Sequence, residues 1–211
     1  TTEIYTLSLH DALPIFFHIA GIVAIAPGKK DLMYSVNIQG TKNVVEACIR
    51  TNVKRLIYTS SVHALHEPPM GEIMVEKLAD STDEVLGEYA KTKVLATREV
   101  LNGIERGLDA VITYPSGVIG PYDFKSSEMG EMVKAYSQGK YKYYIDGAYN
   151  FVDVRDVAEG LCLAMSKGKK GEDYILAGNK ITVKQLFQTV SKIKDIPQPK
   201  YKIPMSIAKI L

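Results

Sequence analysis

Three short apolar runs, each ending in small or hydroxylated residues, alternate with long segments of helical periodicity, and this alternation constrains the fold more than any other feature. The runs are Phe16-Phe-His-Ile-Ala-Gly21, Lys54-Arg-Leu-Ile-Tyr-Thr-Ser-Ser61 and Asp109 to Tyr114. Their apolarity is continuous in stretches rather than alternating, which suits strands covered on both faces. Between them the spacing predicts helices over Asp31 to Arg50 and Glu88 to Arg106. The order strand, helix, strand, helix, strand predicts an α/β fold with a parallel sheet and right-handed crossovers. Ligands of such sheets bind beyond the strand C-termini. Ala20-Gly21, Ser60-Ser61 and the loop from Pro115 to Gly120 all fall at that edge.

In the first helix Asn37, Gly40, Thr41, Val44 and Cys48 share one stripe. Glycine and asparagine weaken a helix interior, so Gly40 is expected to permit close approach to the sheet and Asn37 to make a specific bond. Position alone would also allow Asn37 to be a solvated helix residue. The second helix has a buried stripe of Ala90, Val94, Leu101 and Ile104, with Tyr89 and Lys93 one step round; Gly107 suits its C-terminus. Residues 62–87 form a long polar connection, of the kind that is usually functional or mobile. The Pro115 to Pro121 loop must approach something closely. Further on, a helix over 126–140, an aromatic and basic strand from Tyr141 to Ile145 and a strand from Asn150 leading into a helix are expected, with Asp156 and Glu159 as a capping box. A strand over Glu172 to Ala177, a helix over Thr182 to Lys194 and a proline-held tail complete the chain.

Tyr89 and Lys93 stand four residues apart, one helical turn, so their side chains share a face. A free phenol has a pKa of about 10. A fixed ammonium beside it stabilises the phenolate and brings proton exchange toward neutral pH. The pair is a candidate proton donor and acceptor for a carbonyl/alcohol couple, although most Tyr-x-x-x-Lys pairs are solvated helix surface.

The 211 residues suffice for one large domain or a domain with a small appendage. A net charge of +2, with lysines spread along the chain, gives no nucleic-acid footprint. Two cysteines without a Cys-x-x-Cys build neither a disulfide scaffold nor a redox motif, and no metal-ligand set is evident. The apolar run Phe16 to Ala26 has no Lys or Arg before it and is too short to span a bilayer, so it reads as a buried strand. A cytoplasmic protein without membrane partners is expected. Residues 1–15, TTEIYTLSLHDALPI, match the translation of a common short-read sequencing adapter and are set aside as non-native, with the expectation that they pack poorly.

Six motifs carry a resemblance: F-F-H-I-A-G (16–21), V-N-I-Q-G-T-K-N-V-V-E-A (36–47), R-L-I-Y-T-S-S-V (55–62), Y-A-K-T-K (89–93), Y-P-S-G-V-I-G-P (114–121) and F-V-D-V-R-D-V-A-E-G (151–160). In this order the chain resembles the extended short-chain dehydrogenases/reductases, also called NAD-dependent epimerase/dehydratases, and its P-S-G-V-I-G-P looks like the dihydroflavonol-reductase-like branch. The resemblance implies a Rossmann-type doubly wound parallel sheet with a small C-terminal substrate lobe. Residues 16–121 would be a partial dinucleotide-binding domain and 122–211 the lobe, with a strand–helix return to the sheet at about 149–166. It implies Tyr89 as catalytic acid/base, Lys93 as its activator and ribose-binding partner, Ser61 as donor to the substrate oxygen, and Asn37 as a supporting active-site residue. His18, Ala20, Gly21, Ser60, Pro115, Ser116 and Val118 would line the cofactor, NAD or NADP. A Gly-x-x-Gly-x-x-Gly phosphate loop is absent from the sequence, as the first strand–helix units would be. The chain by itself is therefore expected to bind nicotinamide cofactor poorly and to be inactive.

The leading functional expectation is an NAD(P)-dependent oxidoreductase acting on a small-molecule carbonyl or secondary alcohol. The alternative is a nucleotide-sugar epimerase or dehydratase with tightly bound NAD. A third is a non-catalytic dinucleotide-binding protein, which would need none of Tyr89, Lys93 and Ser61. A homodimer stays open.

Overall fold

The structure, a computed structural model, describes residues 14–23, 28–69, 71–125, 127–141, 143–199 and 201–203. The chain divides into two compact units, one running to Pro115 and taking in Ala158–Leu176, the other made of Ser116–Val157 and the chain from Ala177.

The first unit is built on a four-stranded sheet in the order β1-β2-β3-β7, formed by β1 (Ile15–His18), β2 (Arg55–Thr59), β3 (Ala110–Pro115) and β7 (Asp173–Leu176). Every pairing is parallel, as the alternation of runs and helices predicts. All six residues of β3 are buried, and so are Leu56, Ile57 and Tyr58 of β2, which is why these strands read as unbroken apolar runs. β1 stops at His18 rather than continuing to Gly21. His18 pairs with Tyr58, and beyond it the backbone of Ile22 bonds to a side chain instead of to a strand. Of the segment set aside as adapter, residues 1–13 lie outside the described residues. Ile15 opens β1, and the Pro14 carbonyl accepts from Lys54 N.

One helical rod follows, made of α1 (Lys30–Met33), a π-helical stretch (Tyr34–Gln39) and α2 (Gly40–Arg50), with helical backbone angles across both joints. The widened π turn is not evident in the sequence and it shifts the buried stripe, which is Met33, Asn37, Thr41, Val45 and Cys48, with Val44 only partly buried. Gly40 is not a point of close approach: a Cβ there would meet only Ser35 O, at 3.9 Å. α3 (Glu88–Glu105) buries Ala90, Lys93, Val94, Thr97, Val100 and Gly103, while Leu101 and Ile104 pack at the core's margin. The contact glycine is Gly103, where a Cβ would stand 2.6 Å from Val45 Cγ1 on α2. Gly107 closes α3 at φ +104°, a conformation that favours glycine.

Parts of the connection 62–87 are packed onto the core, while Ile73, Val75 and Leu86 stay exposed. Ala64, Leu65, Ala79 and Val85 enter the core, Leu65 bridges Leu78, and Arg98 Nη2 donates to the carbonyls of Ala79 and Asp80. Its acids and prolines are the outward complement of that apolar set.

The second unit holds a three-stranded sheet, β4 (Gly117–Ile119), β6 (Ala148–Asp153) and β8 (Asn179–Thr182), in the order β4-β6-β8. A parallel pair, β5 (Tyr143–Ile145) and β9 (Tyr201–Ile203), and the helices α4 (Glu128–Ser137) and α6 (Val183–Lys194) complete it. Its core forms where Tyr136 stacks on Phe187 at 4.0 Å, with Phe151 and Leu186 beside them. The close approach expected of the Pro115 to Pro121 loop is to its own neighbour: a Cβ on Gly117 would lie 3.0 Å from Asn150 O on β6. Asp156 is not a helix cap, because α5 (Val154–Lys167) begins before it; Asp153 Oδ1 takes the Arg155 N–H instead. Thr182 and Gln185 form a reciprocal capping box at the start of α6. No described helix is long and apolar enough to cross a membrane.

Candidate active site

The first unit gathers polar side chains at the C-terminal ends of β1 and β2, against α3. Lys93 is the centre of the group. Its residue is only 4% exposed, and Nζ donates to Thr59 O at 2.8 Å and lies 5.1 Å from the centre of the Tyr58 ring. Burial pulls the Lys93 pKa down to about 8, which leaves it mostly protonated at neutral pH. A Cβ on Gly21 would sit 3.7 Å from that ammonium and 3.5 Å from Asn37 Oδ1. Glycine at this position therefore keeps the approach to Lys93 clear.

Asn37 is 2% exposed and uses both ends of its amide. Oδ1 accepts from Ile22 N at 2.8 Å, and Nδ2 donates to Ile22 O at 2.9 Å and to Thr92 Oγ1 at 3.0 Å. Thr92 Oγ1 in turn donates to Tyr89 O at 2.7 Å. The π turn thus carries an amide that ties the segment after β1 to the first turn of α3. The sequence expectation that Asn37 makes a specific bond holds, with the backbone of Ile22 as the principal partner.

His18 is buried, its Nε2 2.9 Å from Thr41 Oγ1 and its ring 5.4 Å from that of Tyr58. Thr41 gives its one hydroxyl hydrogen to Asn37 O, at 2.6 Å. His18 Nε2 must then be the donor to Thr41, which makes His18 the neutral Nε2–H tautomer. Burial first, and the Lys93 charge second, lower its pKa to about 4.

Ser60 and Ser61 are both buried but face different partners. Ser60 Oγ shares a 2.8 Å bond with Thr97 Oγ1, and Thr97 donates to Lys93 O. Ser61 caps the short turn Val62–Ala64, its Oγ accepting from His63 N at 3.3 Å. The His63 ring meets the Tyr89 ring edge-on at 6.2 Å. Tyr89 is half-buried.

Ala20 is exposed in the segment after β1, and Pro115 is buried at the end of β3. Ser116 and Val118 belong to the second unit, where Ser116 Oγ donates to Asn150 Oδ1 at 2.8 Å and Val118 is exposed in β4. Tyr58, Thr92 and Thr97 carry no site expectation from the sequence, and Thr41 enters there only as a member of the first helix's stripe. The signal for two of them was present: Tyr58 and Ser60 are two residues apart on one strand face, and Thr97 is one turn after Lys93. Among the described residues no cluster of His, Cys, Asp and Glu could hold a metal ion.

The arrangement, a parallel sheet with a lysine, a tyrosine and two serines at its C-terminal rim, defines a Rossmann-type α/β protein. Residues 10–177 match the NAD dependent epimerase/dehydratase family, and the chain belongs to that family. It is 32% identical over 200 residues to "Sterol demethylase protein B" of Methylococcus capsulatus, covering 93% of this chain and 61% of that protein. A Synechocystis protein with the provisional description dihydroflavonol 4-reductase is 31% identical, over 90% of this chain and 56% of its own length. The crystal structure of gox2253 superposes with a TM-score of 0.86 at 36% identity, over 92% of this chain and 59% of that one. The chain thus spans about six tenths of the length of the proteins it matches.

Proposed function

We propose that this chain carries the proton-transfer site of an NAD(P)-dependent oxidoreductase acting on a small-molecule carbonyl or secondary alcohol. The observation that carries the reading is Lys93, a buried ammonium fixed to Thr59 O, one helical turn from Tyr89, under a segment kept clear by Gly21. Tyr89 donates the proton to the substrate oxygen as it gains charge, or takes it in the reverse direction. The Lys93 ammonium stabilises the phenolate that results. Ser61, whose Oγ accepts from His63 N, donates its hydroxyl hydrogen to the same oxygen. Asn37 holds the Ile22 backbone and, through Thr92, the Tyr89 carbonyl, fixing the rim on which these groups stand.

The residues present fit the nicotinamide end of the family's cofactor. Lys93 would meet the ribose hydroxyls, with His18, Ala20, Gly21 and Ser60 lining the approach; Pro115, Ser116 and Val118 are assigned to the cofactor on the family resemblance alone. The bound nicotinamide supplies or accepts the hydride. The second unit is read as the substrate lobe.

A nucleotide-sugar epimerase or dehydratase would use the same residues and regenerate its cofactor within each cycle. Absorbance of the reduced nicotinamide separates the two in catalytically competent protein. Stoichiometric loss of NAD(P)H as carbonyl is reduced supports the oxidoreductase, which the reductase among the relatives also favours. Turnover with no net change in NAD(P)H overturns it.

A further inference from the structure

The Lys93 ammonium has two neighbours that stabilise its charge, and only one of them is a hydrogen-bond acceptor that the reading above already uses. Thr59 O takes one of its three hydrogens. On another side lies the face of Tyr58, with Nζ 5.1 Å from the ring centre, within the range at which an ammonium is attracted to an aromatic face. The ring is 1% exposed and sits in the middle of the sheet, paired to His18 on β1 and to Ile112 on β3. Its hydroxyl lies among those of Thr41, Ser60 and Thr97, without a hydrogen bond of full geometry among the described residues.

We propose that Tyr58 is a positioning residue whose ring face holds the Lys93 ammonium in place and charged at the sheet rim. A lysine stripped of water loses several contacts that favour its charged form. The aromatic face returns part of that favour without competing for the N–H groups that must remain directed to Tyr89 and to a ribose. The titratable groups around the ammonium are His18 on β1, Tyr58 itself on β2 and Tyr89 on its own helix. His18 is neutral through the neutral range and burial keeps the Tyr58 phenol protonated there, so the Tyr58 ring acts on the ammonium through its face and not through a charge. The functional consequence rests on the reading of Lys93 given above; the cation–ring contact does not.

The test needs neither cofactor nor substrate, so its failure is separable from failure of the enzyme reading. The side-chain resonances of isotopically labelled lysine are titrated in this chain, with Lys93→Met used to assign the Lys93 signal. Tyr58→Phe, which keeps the ring face, is expected to leave the Lys93 pKa where it was. Replacing that phenylalanine by its mono-, di- and trifluoro derivatives withdraws electrons from the ring at nearly constant shape. The Lys93 pKa is expected to fall stepwise along that series, by about one pH unit at the last member. Thermal midpoints of the same proteins report whether the fold is kept. A Lys93 pKa that stays constant across the fluorinated series overturns the proposal, because a ring that only fills space would not respond to its electron density. Tyr58→Leu is expected to lower the Lys93 pKa at least as far as the trifluoro ring, and an unchanged value there would also count against the proposal.

Discussion

The two helical rods that flank the sheet deliver their polar groups in opposite ways. The 30–50 rod departs from regular geometry at Tyr34–Gln39 and places Asn37 where every polar atom of its amide is engaged. α3 is regular, and simple i, i+4 spacing puts Tyr89 and Lys93 on one face with Tyr89 half-buried. Asn37 is a structural clamp, since both of its N–H donors and its carbonyl oxygen are engaged by the protein. Tyr89, which keeps accessible surface, is the group we assign to proton transfer.

That contrast is testable through stability. Asn37→Leu strands the Ile22 N–H and C=O and removes the Thr92 bond, and is expected to cost about 3 kcal/mol in urea unfolding. Tyr89→Phe is expected to cost no more than about 1 kcal/mol in the same assay. Equal losses would erase the distinction between clamp and reactive group.

The pH dependence probes the same rod from the β1 side. His18 titrates at about 4 when folded against 6.5 normally, so the unfolded chain binds the extra proton between those values. The His18 contribution to stability should therefore rise with pH from about 4 to 6.5, by about 3 kcal/mol, and be level above. His18→Gln should flatten that rise in a pH series of urea midpoints. Lys93, lowered to about 8, acts in the same direction between pH 8 and the tyrosine range near 10, where buried Tyr58 and Tyr114, both pushed up, begin to oppose it.

Gly103→Ala tests the contact between the rods. A Cβ 2.6 Å from Val45 Cγ1 must displace it, so a loss of about 1–2 kcal/mol is expected where an exposed helical Gly→Ala would gain about 1. The smallest effect belongs to Tyr34→Phe, which removes the hydroxyl's 2.9 Å bond to Glu88 and should cost about 1 kcal/mol or less.

The sheet was legible because burial on both faces imprints continuous apolar runs, as in Ala110–Pro115. The Tyr89 and Lys93 pair was legible because helical spacing is fixed by geometry. The π turn was not, since no local residue pattern marks it and the bond that Asn37 makes from it reaches a backbone fifteen positions away. That Val45 is more deeply buried than Val44, and that Gly103 rather than Gly40 makes the close contact, depends on how α2 meets α3. Tyr58 was read as one more apolar residue of a strand; its meeting with Lys93 depends on how α3 lies over β2, which no spacing within either element reveals. β1 ends before Ile19-Ala-Gly21, which is as apolar as a strand but is exposed and leads to Ile22, whose backbone bonds to the Asn37 side chain.

The most direct measurement is the single-turnover rate of hydride transfer in catalytically competent protein carrying Tyr89→Phe, followed by nicotinamide absorbance beside a thermal midpoint. With the fold intact, the rate should drop by about 10²–10⁴-fold, the usual share of a general acid–base group. A rate within a few-fold of the unsubstituted protein would contradict the assignment of proton transfer to Tyr89, and with it the site built around Lys93.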